Sequence, residues 1–217
     1  MEINTLTQSE LETLLQHTEC SQHIVICTHK SPDGDALGSS LAWLEFLNNR
    51  NKSADIIIPD AYPDFLQWLP NSEKVIRYDK HKERAEALLN GADLIFCLDF
   101  NGFGRVDEMQ PALENSPARK IMIDHHIDPQ METVLTVSRP EMSSTCELVF
   151  RIMYQSGDFE KMTKKCAVCL YCGMMTDTGG FTYNSNNPEI FFIISELLTK
   201  GINKDKIYRN VFNNYSS

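Results

Sequence analysis

Four short stretches of the chain concentrate carboxylates and imidazoles: THKSPDGDALG (residues 28–38), CLDF (97–100), KIMIDHHIDP (120–129) and MMTDTGGF (174–181). They supply His29, Asp33, Asp35, Asp99, Asp124, His125, His126 and Asp177. Five carboxylates drawn together would repel, and some would take up protons at neutral pH unless a cation offset the charge. Aspartate oxygen with some histidine nitrogen, and no thiolate, suits Mn²⁺ or Mg²⁺ better than a structural zinc site. The donors outnumber what one such ion needs if it keeps water, and two ions sharing one carboxylate fit the count. Ions about 3.5–4 Å apart can deprotonate a water and clamp a phosphate. Each stretch alone has a plainer reading. Asp33 and Asp35 suit a turn or helix cap, Gly34 suits an ordinary loop, and Asp124-His125-His126 suits a solvated loop.

The elements that must position these residues follow from hydrophobic periodicity. Short β-branched runs predict strands over 23–29, 54–60, 92–100 and 120–126, with a fifth at 133–137. Helical spacing predicts helices over 5–19, 35–49, 81–90, about 160–175 and 188–200. A further helix starts at Ser144, with Ser144 and Glu147 as a capping box, and ends near Gly157. Pro188 suits a first turn and Gly201 a helix end. Alternating strands and helices predict an α/β fold with a mainly parallel, doubly wound sheet flanked by helices. His29, Asp33, Asp35, Asp99 and Asp124–His126 then all follow strands at one sheet edge, where such folds bind ligands. Asp177 alone follows a helix.

The net charge of −10 and pI near 5.0 disfavour a long nucleic acid as partner, because phosphate neutralisation needs a basic surface. A small anion in a local pocket fits, and two divalent ions would offset part of the charge. No run of 18 apolar residues suggests a membrane span, and the polar, acidic start lacks signal-peptide character, so a cytoplasmic location is expected. Cys166, Cys169 and Cys172 could announce an iron–sulfur site, but they lie in a helical pattern without a following cysteine, which favours core packing. Arg105 is placed to meet a phosphate or to pair with Asp107 or Glu108. Ser143, Ser144 and Thr145 open a helix, where they would cap it or receive an anion.

The four stretches, in this order, resemble the DHH phosphoesterase superfamily across residues 20–200. SPDGDALGS, SSTCELV and DTGGFTYNSNNPE are most similar to its bifunctional oligoribonuclease and pAp-phosphatase branch. That resemblance implies two Mn²⁺ ions, with Mg²⁺ or Co²⁺ as substitutes. His29 and Asp33 would bind one ion, Asp35, His125 and Asp177 the other, and Asp99 would bridge. His126 would face the substrate phosphate and Asp124 would orient an imidazole, while a bridging hydroxide attacks phosphorus in line. Arg105, Ser143 and Ser144 are candidate substrate contacts. The expected substrates are short oligonucleotides or 3′-phosphoadenosine 5′-phosphate, and a homodimer is allowed. Pyrophosphate, polyphosphate or single-stranded DNA as substrate, or a non-catalytic metal-stabilised module, are the alternatives. Members of this branch usually carry a C-terminal substrate-binding domain. The expected division here is a catalytic domain over 1–201 and a linker or tail over 202–217, without that second domain and with weak substrate affinity in consequence.

Overall fold

Six runs of residues that pack well in a pleat form one sheet in the computed structural model, which describes residues 2–212. The strands are β1 (Ile24–Cys27), β2 (Ala54–Ile58), β3 (Ile76–Arg77), β4 (Leu94–Leu98), β5 (Arg119–Asp124) and β6 (Leu135–Ser138). They lie in the order β3-β2-β1-β4-β5-β6, and every pairing is parallel. Side chains alternate between the faces of a strand. Ile24, Ile26, Ile56, Phe96 and Ile121 therefore join one apolar core, and Val25, Cys27, Ile57, Ile95 and Met122 join the other. A parallel sheet buried on both faces needs helices on both sides. One face carries α1 (Gln8–Cys20), α2 (Gly34–Asn49) and α5 (Thr145–Gln155). The other carries α3 (Lys82–Gly91) and α4 (Gln110–Asn115). Outside α2 and α5 lies α6 (Lys164–Asp177), itself flanked by α7 (Pro188–Thr199) and α8 (Lys204–Phe212).

The strand order reverses its direction of winding between β1 and β4, which places a crevice beyond their carboxyl ends. Three glycines fix what approaches that crevice. A Cβ at Gly34 would collide with the Thr176 side chain, one at Gly38 would sit 2.5 Å from the Cys169 carbonyl, and one at Gly173 would strike Cys146 Sγ. So α2 and α6 pack almost backbone to backbone. Gly34, expected as a loop residue, is instead the first residue of α2, and its missing side chain admits α6.

The observed boundaries differ from the periodicity at several points. The sixth helix begins at Lys164 rather than near 160, because the Thr163 side chain accepts from Cys166 N–H and caps it there. The two-residue β3 and the six-residue α4 are too short to show a period. Residues 204–212, expected within a polar tail, form α8, which buries only Ile207 and Val211, one turn apart. Residues 213–217 of that expected tail lie outside the described residues. Cys166, Cys169 and Cys172 are buried within α6 as core side chains. Among the described residues, no helix is long and apolar enough to cross a membrane.

Candidate metal centre

The loop after β1 supplies three of the eight residues. His29 Nδ1–H donates to the Lys30 carbonyl (2.7 Å), which turns Nε2 toward Asp99 Oδ2, 3.4 Å away. Asp33 is the N-cap of α2, with Oδ1 accepting from the N–H groups of Asp35 and Ala36 at 3.0 Å each. The cap reading of Asp33 and its membership of a charged cluster therefore coexist. Asp35 is fully buried, and its carboxylate accepts from the amides of Thr145 (2.7 Å) and Cys146 (2.8 Å) at the start of α5. An anion at that helix N-terminus is favourable. The anion there is the protein's own.

Asp99 follows β4 with φ 66°, a left-handed conformation that aspartate tolerates better than most residues. That turn brings its carboxylate between two imidazoles. His125 Nε2 lies 3.6 Å from Asp99 Oδ1, 3.3 Å from Asp177 Oδ2 and 3.9 Å from Asp35 Oδ2. The other ring nitrogen of His125 faces the Met142 carbonyl at 3.3 Å. Asp177 is the last residue of α6, and Gly179 (φ 55°) and Gly180 (φ 71°) turn the chain away behind it. Its position at the negative end of a helix dipole favours a neighbouring cation. His126 Nδ1–H donates to Asp124 Oδ1 (2.8 Å). Asp124 is fully buried, and its Oδ2 has no hydrogen-bond partner.

Seven of the eight residues thus converge on one crevice, and Asp124 is joined to it through His126. Ligand atoms of His29, Asp33 and Asp99 lie within 4.8 Å of one another, as do those of Asp35, His125 and Asp177, and those of Asp99, His125 and His126. The electrostatics suit a cation. Burial, with repulsion from Asp99, Asp177 and Asp33, pushes the Asp35 carboxyl well up. Burial and the Asp99 charge likewise raise Asp177 against the pull of His125. Burial opposes charge on His29 and His125, but Asp99 with Asp33 outweighs it at His29, and Asp177 with Asp99 outweighs it at His125, raising each ring to about 9. Oxygen and imidazole donors, two of the imidazoles with Nε2 turned inward, fit divalent ions of the Mn²⁺ or Mg²⁺ kind.

Other residues fall differently. Ser144 Oγ caps α5 by accepting from Glu147 N–H (3.0 Å), but the returning Glu147 carboxylate takes Ser143 N–H and Oγ–H instead of Ser144 N–H. The capping box expected between Ser144 and Glu147 is therefore only half formed, and both serines are buried in this network. Arg105 is exposed, and its carbonyl accepts from Lys30 N–H (2.8 Å) beside the His29 loop. Its expected partner Asp107 pairs with Lys30 Nζ (2.6 Å), and among the described residues the Arg105 guanidinium has no ion-pair partner. Thr145, expected to cap the helix or receive an anion there, instead donates Oγ–H to Asp99 Oδ1 (2.9 Å). The hydroxyl in SSTCELV was the only available signal for that role.

Comparison with known proteins bears on this arrangement. Residues 23–174 match the DHH family, N-terminal domain. The chain is 30% identical over 182 residues to the "Bifunctional oligoribonuclease and PAP phosphatase NrnA" of Thermus thermophilus, covering 82% of this chain and 50% of that protein. It therefore spans about half the length of that curated relative. The crystal structure of an exopolyphosphatase-related protein from Bacteroides fragilis superposes with a TM-score of 0.95 at 53% identity, over 97% of this chain and 62% of that one. Exonuclease RecJ bound to manganese shares the fold, with a TM-score of 0.50 and 15% identity over 92% of this chain and 49% of that one. The family match runs through three of the four charged stretches and stops three residues short of Asp177. The side chains it carries are those that meet beyond β1, β4 and β5, and the chain belongs to the DHH family.

Proposed function

We propose that the chain is a two-metal phosphoesterase that hydrolyses short oligonucleotides or 3′-phosphoadenosine 5′-phosphate. The observation that carries this reading is the place of Asp99, with one oxygen 3.4 Å from His29 Nε2 and the other 3.6 Å from His125 Nε2. His29 and Asp33 would hold one Mn²⁺, Asp35, His125 and Asp177 the other, and Asp99 both. Bound ions would polarise a phosphoryl oxygen and acidify a water.

The chain's own groups do the rest. The bond to Asp124 fixes the His126 ring and leaves Nε2 free, on a side chain 37% exposed, to contact the phosphate or protonate the leaving oxygen. The exposed Arg105, whose carbonyl accepts from Lys30 N–H beside the His29 loop, is suited to a second phosphate oxygen. Ser143 and Ser144 hold the start of α5 instead of substrate. A local cationic pair within an acidic chain favours a short substrate over a polyanion. The name of the Thermus relative supports the oligonucleotide and PAP reading. The exopolyphosphatase-related protein of Bacteroides fragilis favours a second reading, hydrolysis of polyphosphate.

Turnover of a dinucleotide, 3′-phosphoadenosine 5′-phosphate, pyrophosphate and polyphosphate with Mn²⁺ separates the two. Phosphate or mononucleotide release from the first two is expected, and His126→Asn should lower kcat roughly 10²- to 10⁴-fold while Mn²⁺ still binds. Turnover of polyphosphate alone would replace the first reading with the second. Inertness toward all four would remove both.

A further inference from the structure

Thr145 is fully buried at the first position of α5, and it touches two carboxylates that arrive from different strand ends. Its N–H donates to Asp35 Oδ2 (2.7 Å) and its Oγ–H donates to Asp99 Oδ1 (2.9 Å). Cys146 N–H completes the hold on Asp35 through Oδ1 (2.8 Å). The two aspartates are not equivalent. Asp35 has both oxygens fixed by backbone amides, whereas Asp99 Oδ1 accepts from the Thr145 hydroxyl. A carboxylate rotates in a broad, roughly two-fold well about its last torsion. Sharing Asp99 between two half-sites requires one oxygen toward His29 and the other toward His125, and the bond from Thr145 selects that orientation.

We infer that Thr145 is a positioning residue that locks the Asp99 carboxylate so that two ions can share it. This rests on the two-ion reading above. Its second link, through the amide to Asp35, also sets the spacing between the half-sites by a single rigid residue. A merely structural Thr145 would satisfy buried carboxylates and support α5 without influencing how the ions communicate.

The test is Mn²⁺ titration by calorimetry, with electron paramagnetic resonance of the loaded full chain, for the native protein, Thr145→Val and Thr145→Ser. Val keeps the shape, the β-branch and the amide and loses only the hydroxyl. The native protein should take up two Mn²⁺ with an exchange-coupled spectrum. Thr145→Val should bind one of them roughly 10- to 100-fold more weakly and show the six-line spectrum of isolated Mn²⁺ at sub-saturating metal, and Thr145→Ser should restore coupling. If Thr145→Val lacks a cooperative urea transition, Thr145→Ala is read in its place. Native-like affinity and coupling without the hydroxyl would overturn the proposal, as would lost stability with coupling unchanged. A native chain that binds fewer than two ions would instead overturn the two-ion reading, and this inference would fall with it.

Discussion

His29 and His125 each place one ring nitrogen against a backbone carbonyl and the other among carboxylates, so their charge state decides how readily the crevice accepts an ion. Burial opposes protonation of both rings, yet Asp99 and Asp33 lift His29, and Asp177 and Asp99 lift His125, from 6.5 to about 9. In the ion-free protein both are therefore imidazolium at neutral pH. An incoming ion needs the neutral ring and must displace those protons. Mn²⁺ affinity should rise with pH throughout the range below about 9 and level off there, where the rings lose their protons unaided. Below that plateau, calorimetry in buffers of different ionisation enthalpy should detect net proton release. Affinity independent of pH over this range, with no proton release, would show that the rings are not ligands. At this scale the sequence was most informative. Aspartate and histidine side chains at strand ends announce themselves by type and place. Thr145 did not, because its carboxylate partners lie 110 and 46 residues away and a helix-opening threonine has an ordinary explanation as a cap.

Among the elements, α2 and α6 carry Asp35 and Asp177 into the crevice, and Gly34, Gly38 and Gly173 set their separation. A Cβ at Gly173 would meet Cys146 Sγ and also lie 3.0 Å from Asp35 Cα and Oδ1, so it presses on the very residue clamped by α5. Gly173→Ala should destabilise the protein by about 1–3 kcal/mol through overpacking, and should weaken Mn²⁺ binding as Asp35 is displaced. Gly91→Ala is the control: no atom lies within 4 Å of its added Cβ, and the change should be neutral within about 1 kcal/mol. Urea unfolding of both variants checks this, and equal stabilities would contradict the packing account. Periodicity revealed five of the six strands and the helices α2 and α7, whose apolar residues recur over several turns, and the capping signal of Ser144 and Glu147 marked α5. It could not reveal β3 or α4, which are too short, or α8, whose buried stripe is two residues in a polar segment. Nor could it reveal that Gly34 admits a neighbouring helix, because that contact is with Thr176, on a helix distant in sequence.

Across the whole molecule, the parallel order β3-β2-β1-β4-β5-β6 makes one crevice, and residues from 29 to 177 converge there. The sheet gathers the loops after β1, β4 and β5, α6 adds Asp177 from above, and the start of α5 holds Asp35 and Asp99 in place. Such convergence of buried carboxylates is stable only with protons or cations to offset it, and the chain's net charge of −10 offers no general compensation. The measurement that bears most directly on this is anomalous diffraction at the manganese edge from crystals of the chain grown with Mn²⁺. Two peaks per chain are predicted, one among His29, Asp33 and Asp99 and one among Asp35, His125 and Asp177, with Asp99 touching both. A single peak, or peaks away from Asp99, would contradict it.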